Sequence, residues 1–441
     1  LAKKERNPME RFLMNDLETW KSSKRRKPLI LNGARQVGKT WLLKEFGDKH
    51  YKNTAYLNFD NNPEAQMVFN LDFNVNRIIK DVQNITGKIV SEGNTLVIFD
   101  EIQECPKALT SLKYFCENVP GVHIVAAGSL LGLTVHEGTG YPVGKVNTLN
   151  LYPLSFREFL DATGNAALRQ TIDSGDLNSF KIFNARLSEL LKHYYVVGGM
   201  PEAVLAYLDG GIFEESRQVQ KEILDGYRLD AAKHLNGKET EFVLAAWDSI
   251  SSQLAKENKK FVFGHIRTGS RARDYRSAIT WLTQAGIASK VSRVAKAGMP
   301  LSAYKDNQAF KLFVLDVGLL SAMAKLSTKS VIEGDSIFSE FKGALTEQYV
   351  CQQLISDCRL DPYYWSAENS RGELDFLVQN EDATFAIEVK AEENLRAKSL
   401  RTFKEKNPEV EALRFSLSGY REQDWMRNIP LYAISNRGLW G

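Results

Sequence analysis

The chain has 441 residues, more than one hydrophobic core usually supports, so about two to four domains are expected. Hydrophobic residues make up 43% and charged residues 25% of the sequence, proportions that exclude disordered and collagen-like proteins. The net charge of +3 argues against a surface that is basic all round for nucleic-acid binding, although it leaves room for a local basic face.

Cysteine usage and hydropathy indicate the compartment. The four cysteines form no CxxC pair and have no nearby histidine, which argues against a disulfide framework or a zinc site and favours a reducing compartment. The longest apolar stretch, Ile124 to Val135, is interrupted by glycine and serine and is too short to cross a bilayer. We therefore expect a cytoplasmic protein without a membrane partner.

The N-terminal part of the chain alternates short apolar runs with helix-like stretches, which is the pattern of a mostly parallel sheet covered by helices. The sequence therefore predicts an α/β domain over residues 1–155. The expected strands are 28–32, 54–60, 95–100, 123–128 and one near 145–151. Residues 156–256 then turn helical, and we interpret them as a helical lid or linker.

The remainder of the chain predicts two further segments. Within residues 257–335, a helix over 272–284 is followed by strand-like runs at 287–294 and 309–315, which is the outline of a winged helix. Residues 336–441 alternate helices and strands and predict a separate small α/β domain.

A phosphate-binding loop is the most specific motif in the sequence. The pattern GxxxxGK[ST] is matched in full by Gly33, Ala34, Arg35, Gln36, Val37, Gly38, Lys39 and Thr40. An apolar strand precedes the loop and a helix follows it, so backbone N–H groups and the helix N-terminus face the phosphates. Lys39 is expected to reach the terminal phosphates, and Thr40 to place its hydroxyl on Mg²⁺. The motif predicts binding of ATP or another nucleoside triphosphate with magnesium.

Polar residues follow two further predicted strands. Asp100 and Glu101 come at the end of one apolar run; Asp100 is expected to hold Mg²⁺ through water, and Glu101 to polarise the attacking water. Ser129 ends the next strand and either senses the γ-phosphate or caps a helix, and both interpretations stay open. Together with the loop, the acidic pair predicts hydrolysis as well as binding.

A second group of charged residues lies in the last segment. Glu347 falls within the apolar arc of a predicted helix, where a carboxylate is costly unless a metal or a basic group is its partner. Glu388 and Lys390 share one face of a predicted strand. With Asp375, these carboxylates predict a Mg²⁺ site, with Lys390 near the water that attacks a phosphodiester. The alternative is a half-exposed hairpin with a surface Glu–Lys pair.

Three arginines begin the helix of the predicted winged helix, on the side away from its apolar residues. These residues, Arg271, Arg273 and Arg276, predict a nucleic-acid interface. The alternative is a solvated helix end, since winged helices also serve as protein–protein spacers.

With these residues placed, the whole chain resembles a widespread family of prokaryotic AAA-type ATPases whose C-terminal half is a domain of unknown function. The resemblance covers nearly the full length. It is carried by the segments Gly33–Thr40, Asp100–Gln103, Pro153–Phe159, Gly198–Glu202, Phe310–Phe313 and Asp316–Leu320. It implies a P-loop AAA-type ATPase core over residues 1–155, with ATP and Mg²⁺ as cofactors.

The C-terminal residues carry a second resemblance. Asp375, Glu388 and Lys390, with helical Glu347, are similar to the metal-site set of restriction-endonuclease-like PD-(D/E)xK folds, although Leu374 stands where that signature has proline. The resemblance implies a nuclease-like domain over residues 336–441.

Two hypotheses follow for the function. In the first, ATP binding and hydrolysis drive a nucleic-acid-processing enzyme that has a metal-dependent nuclease domain. In the second, ATP controls a regulatory switch that binds DNA or protein, and the nuclease-like fold is catalytically inert. DNA is the favoured nucleic-acid partner. Homo-oligomer formation and the identity of a protein partner stay open.

Overall fold

A computed structural model describes residues 9–128, 141–256, 259–333, 336–367, 372–391 and 397–441. The chain divides into two compact units. The first unit comprises Glu10–Tyr152 with Gln284–Gly286, and the second takes in Pro153–Thr283 and Ile287–Gly441. In the described ranges, no helix is long and apolar enough to cross a membrane.

The first unit is a parallel sheet flanked by helices. Its strands are β1 (Leu29–Asn32), β2 (Asn53–Asn58), β3 (Thr95–Asp100), β4 (His123–Gly128) and β5 (Asn147–Asn150). Its helices are α1 (Leu13–Ser22), α2 (Lys39–His50), α3 (Pro63–Asn70), α4 (Val75–Thr86) and α5 (Pro106–Asn118). The five strands lie in the order β2-β3-β4-β1-β5, and every neighbouring pair is parallel. The predicted α/β architecture is confirmed, with small shifts at the strand ends.

The central strands explain why this sheet forms and where its site lies. All residues of β3 and β4 are buried, as expected for parallel strands covered by helices on both faces. On one face, the rings of Phe59, Phe69 and Phe99 contact one another at centroid distances of 5.4–5.8 Å. Because the strands are parallel, the loop after β1 and the acidic residues after β3 emerge at the same edge of the sheet.

The second unit begins with a run of helices. These are α6 (Phe156–Ala162), α7 (Ala166–Ser174), α8 (Leu177–Val197), α9 (Pro201–Gly210), α10 (Phe213–His234) and α11 (Gly237–Leu254). Its later helices are α12 (Ala272–Gln284), α13 (Val317–Met323), α14 (Thr328–Glu333), α15 (Ser336–Ser356) and α16 (Lys398–Lys406). Short 3-10 turns lie at Phe263–His265, Leu301–Tyr304, Leu431–Ala433 and Arg437–Leu439.

A mixed sheet forms the other layer of this unit. Its strands are β6 (Ala288–Val294), β7 (Lys305–Val314), β8 (Tyr363–Ser366), β9 (Glu373–Gln379), β10 (Thr384–Lys390), β11 (Glu411–Ser416), β12 (Arg421–Gln423) and β13 (Met426–Pro430). The eight strands lie in the order β12-β13-β11-β10-β9-β8-β6-β7.

This sheet is continuous across the domain boundary predicted at residue 335. Strands β6 and β7 are antiparallel, as expected for the wing of a winged helix, but β6 also pairs in parallel with β8. The second pairing satisfies backbone groups that an isolated wing would leave unpaired on this edge. The segments expected to be separate, 257–335 and 336–441, therefore share one sheet.

Asp316 joins two of the sequence segments that carry the family resemblance. Its Oδ1 accepts from the Leu319 N–H at 3.1 Å and caps α13, while Oδ2 accepts from the Gly199 N–H at 2.7 Å and from Gln352 Nε2 at 3.0 Å. At Gly198, which has φ of 70°, a Cβ atom would lie 2.1 Å from Asp316 Oδ1. Gly198 is therefore required by the close approach of this buried carboxylate, and Gly199 by the Leu154 carbonyl oxygen, which would lie 2.0 Å from its Cβ atom.

Candidate functional site

The phosphate-binding loop joins β1 to α2, and its backbone depends on glycine. Gly38 has φ of 93°, in the left-handed region that favours glycine, and Gln36 is also left-handed with φ of 65°. At Gly33, a Cβ atom would lie 2.5 Å from the carbonyl oxygen of Leu151. The loop predicted over residues 33–40 is thus present as a tight turn before the N-terminus of α2.

Lys39 is the first residue of α2 and is buried, with 8% of its surface exposed. Its Nζ donates to the carbonyl oxygens of Gly33 at 2.9 Å and Ala34 at 2.8 Å. Burial lowers the pKa of Lys39 to about 8, while the nearby carboxylates of Glu101 and Asp100 act to raise it. The ammonium group therefore lies against the carbonyls of its own loop and close to the acidic pair.

Asp100 receives three hydrogen bonds at the end of β3. Thr40 Oγ1 and the phenol oxygen of Tyr56 donate to its Oδ2 at 2.7 Å and 2.8 Å. The Glu101 N–H donates to its Oδ1 at 3.0 Å. Mg²⁺ prefers oxygen ligands, and a hydroxyl beside a carboxylate supplies them. Thr40 and Asp100 therefore fit the magnesium role predicted for them.

The Glu101 carboxylate is held in one orientation. Its backbone is left-handed, with φ of 52°, which is uncommon for a residue other than glycine. Its Oε2 accepts a hydrogen bond from Nε2 of Gln103, a buried side chain in the 3-10 turn Ile102–Glu104. The other end of this amide faces Gly128, where a Cβ atom would lie 2.7 Å from Gln103 Oε1. Gln103 thus connects the end of β4 to the candidate water-activating residue.

The sequence predicted no role for three supporting residues: Arg11, Tyr56 and Gln103. Arg11 Nη1 donates to the Val37 carbonyl at 3.1 Å, across 26 residues of sequence, so no local pattern marks it. The other two gave weak signals: Tyr56 is a phenol on a predicted strand, and Gln103 is an amide two residues after the acidic pair. Ser129, the predicted γ-phosphate sensor or helix cap, lies outside the described residues.

The predicted nucleic-acid residues lie on the solvent side of α12. Arg271, Arg273 and Arg276 are exposed, whereas the opposite face of the helix is buried through Tyr275, Ile279 and Leu282. Partial desolvation of the Lys290 ammonium group on β6, followed by the charges of Lys305 and Arg276, lowers the pKa of Lys290. The helix and the β6–β7 pair therefore both contribute positive charge. We call Arg271, Arg273, Arg276, Lys290 and Lys305 the basic face.

The C-terminal candidates come together in the second unit. Glu388 is buried and its Oε1 lies 2.6 Å from Lys390 Nζ, so it is not part of a surface pair. Asp375 Oδ2 accepts from the Val389 N–H at 2.7 Å. Burial, followed by the Glu347 carboxylate, raises the pKa of Asp375. These residues form one buried carboxylate cluster.

Two lysines for which the sequence predicted no role belong to this cluster. Lys259 pairs with Glu347, and Lys311 lies 2.6 Å from Glu373 Oε1 and 3.7 Å from Glu347 Oε2. Burial acts against charge on Glu347, yet the two ammonium groups hold its pKa below the ordinary value.

Glu347, Asp375 and Glu388 were predicted to hold Mg²⁺, so the arrangement of their carboxylates decides whether a metal ion fits. Carboxylates are suitable donors for Mg²⁺. In the described part of the chain, however, no group of three or more His, Cys, Asp or Glu side chains is arranged to hold a metal ion. Because ammonium groups already contact Glu347, the arrangement does not fit a resident metal ion.

Three segments of the chain match known protein families. Residues 25–160 match the family described as AAA domain. Residues 188–330 and 342–434 each match a family described as a domain of unknown function, DUF8612 and DUF4143. Together with the phosphate-binding loop and the parallel sheet, the first match identifies an AAA-type P-loop domain in this part of the chain.

No curated protein matches the chain. Among solved structures, the Walker-type ATPase of Pyrococcus abyssi aligns with 14% identity and a TM-score of 0.45, covering 73% of this chain and 99% of that chain. The Aeropyrum pernix Orc1 protein, solved in complex with DNA, aligns with 13% identity and a TM-score of 0.28, covering 74% and 93%. At such identities and TM-scores, these similarities carry no functional statement for this chain.

Proposed function

We propose that the chain binds ATP with Mg²⁺ through residues 33–40 and hydrolyses it, and that the nucleotide state controls an interaction with nucleic acid. The ATP part rests on one observation. Thr40 Oγ1 lies 2.7 Å from Asp100 Oδ2 at the edge of the sheet where the buried Lys39 opens α2. A glycine-dependent loop, a lysine and this pair of oxygen ligands are what a magnesium–triphosphate group requires.

Each residue of the site has its own task in this proposal. Lys39 exchanges two neutral carbonyl partners for the terminal phosphates, which form stronger charge-assisted hydrogen bonds. Thr40 and Asp100 hold Mg²⁺, which when bound neutralises charge on the phosphates. Glu101 orients and polarises the attacking water. Gln103 holds the Glu101 carboxylate in place.

Steady-state ATP hydrolysis tests the enzymatic part. Glu101→Gln should keep ATP affinity while hydrolysis slows by at least about a hundredfold, the scale of lost general-base help. Glu104→Gln lies in the same 3-10 turn and is the matched control, with hydrolysis expected at the wild-type rate. A wild-type protein that hydrolyses no ATP at any magnesium concentration would contradict the proposal. An equal fall in affinity would make Glu101 a binding residue instead.

The basic face supports the nucleic-acid part of the proposal. Its members are exposed, and the charges of Arg276 and Lys305 are close enough to Lys290 to lower its pKa. Clustered cations of this kind neutralise phosphates without reading sequence. DNA is the nucleic acid that we favour, with α12 and the β6–β7 pair acting as a winged helix.

The proposal for residues 336–441 is a nuclease-like fold without cleavage activity. Helix α15 precedes the antiparallel strands β8, β9 and β10, and α16 returns the chain to β11, which is parallel to β10. This order supports a small α/β fold around the carboxylate cluster. The lysines on that cluster favour the regulatory-switch hypothesis over a metal-dependent nuclease.

A further inference from the structure

Lys311 is a fully buried lysine in the middle of the apolar strand β7. Its side chain has no exposed surface, and its Nζ lies 2.6 Å from Glu373 Oε1 and 3.7 Å from Glu347 Oε2. A buried ammonium group is costly unless carboxylates surround it. Burial alone would lower the pKa of Lys311, but Glu347, Glu373 and Asp375 raise it above the ordinary value. Lys311 therefore faces two carboxylates, Glu373 and Glu347, inside the second unit.

The carboxylate cluster contains other cations, which leave little uncompensated charge. Lys259 pairs with Glu347, and Lys390 lies 2.6 Å from Glu388 Oε1. Arg414, which is 1% exposed, stands opposite Glu388 in the parallel register of β10 and β11. The cluster thus contains four cationic side chains and four carboxyl groups. The cations are Lys259, Lys311, Lys390 and Arg414, and the carboxyl groups are Glu347, Glu373, Asp375 and Glu388.

From this arrangement we infer that Lys311, assisted by Lys259, takes the place of a divalent cation among the carboxylates, so that the cluster is an ion-paired core and not a metal site. The inference deepens the proposed function, because it gives the reason why the nuclease-like fold lacks cleavage activity. It also gives β7 a structural role in linking two parts of the second unit. This strand belongs to the segment predicted as a winged helix, and Lys311 ties it to α15 and β9 through Glu347 and Glu373.

A divalent ion is disfavoured in the cluster because excess buried charge is costly. A divalent ion that entered the cluster would add two positive charges to carboxylates that already have cationic partners. The fully buried Lys311 ammonium group could not leave Glu347 and Glu373 without placing its own charge in an apolar surrounding. Glu347 Oε2 and Glu388 Oε2 have no hydrogen-bond partner in the described part of the chain, but the Lys311 ammonium group already lies 3.7 Å from Glu347 Oε2.

Direct manganese binding by the full chain without nucleotide, followed by electron paramagnetic resonance, tests the inference. We expect Asp375→Asn and Glu388→Gln to bind as many Mn²⁺ ions as the wild type, with the same affinity, because no Mn²⁺ lies at the cluster. A wild-type Mn²⁺ site that is lost in both variants but kept in Asp100→Asn would overturn the inference. Asp100→Asn reports on the P-loop alone, so failure of the proposed ATP site shows in a different variant.

The role of Lys311 as the neutralising cation has its own test. Lys311→Met keeps the volume of the side chain but leaves Glu373 and part of Glu347 without a cation. We expect the melting temperature to fall by roughly 10 °C, or the variant not to fold, because removing one partner of a buried ion pair leaves an uncompensated charge in the protein interior. Lys305→Met, at the exposed start of the same strand, is the matched control. Equal stability of the two variants would overturn the inference.

Discussion

Tyr56 and Asp100 lie on neighbouring parallel strands, and the phenol of Tyr56 donates to Asp100 Oδ2 at 2.8 Å. The same oxygen accepts from Thr40 Oγ1 at 2.7 Å. The candidate magnesium ligand is therefore held from two sides, by β2 and by the first turn of α2. This arrangement positions the carboxylate before any nucleotide binds.

Removing the Tyr56 hydroxyl tests this positioning. Tyr56→Phe should raise the magnesium concentration for half-maximal ATP hydrolysis by about five- to tenfold, since one hydrogen bond to a charged group is lost. At saturating magnesium, the rate should change little. Tyr51→Phe is the matched control, because it removes a phenol that hydrogen bonds to His123 instead. An equal magnesium shift in both variants would show that Tyr56 does not act through Asp100.

His123 predicts how the stability of the first unit depends on pH. Burial, followed by the charges of Arg26 and Lys21, lowers the pKa of His123 from 6.5 to about 4. The unfolded chain therefore binds a proton at higher pH than the folded chain does. This contribution to stability is fully present above pH 6.5 and is lost as the pH falls through about 4.

Chemical denaturation between pH 4 and pH 7.5 measures this effect. The free energy of unfolding should fall as the pH is lowered, and His123→Gln should flatten the profile in that window, because glutamine does not titrate. His50→Gln, at the half-buried end of α2, is the matched control for replacing a histidine by glutamine. Identical profiles for wild type and His123→Gln would show that His123 does not cause the fall in the free energy of unfolding at low pH.

The sequence predicted the first unit well because its signals are local. Continuous apolar runs marked β3 and β4, and the loop motif fixed the residues that meet at one sheet edge. The same holds for α12, where the helical period separated arginines from apolar residues. Glu347 was also correctly expected to need a partner, because a carboxylate within an apolar arc is costly.

What the sequence could not show is which partner Glu347 has. Lys259 and Lys311 lie 88 and 36 residues away along the chain, and only the tertiary packing of the second unit brings them to Glu347 on α15. One signal was available: Lys311 stands within the apolar run Phe310–Phe313, where a lone lysine requires a buried carboxylate. The pairing of β6 with β8 was likewise a long-range choice.

Nucleic-acid binding through the basic face has a direct test. Replacing Arg271, Arg273 and Arg276 by alanine should weaken binding to duplex DNA and lower the slope of log K against log salt by up to about three. The control variant replaces Arg186, Arg401 and Arg421, which are exposed elsewhere in the second unit, and changes the net charge equally. Salt-dependent binding that both variants weaken alike would be a general charge effect. A wild-type chain without such binding would remove the basic face from the proposal.

Nucleotide binding itself is the central claim, and Lys39 tests it most directly. The measurement is the shift in melting temperature on titration with ATP and Mg²⁺, interpreted as one-site linkage. We predict a concentration-dependent rise for the wild type and for Lys49→Ala, a control on the exposed side of the same helix. In Lys39→Ala the rise should disappear, because the terminal phosphates lose their fixed positive charge. Unchanged ATP affinity in Lys39→Ala would contradict the assignment of residues 33–40 as the nucleotide site.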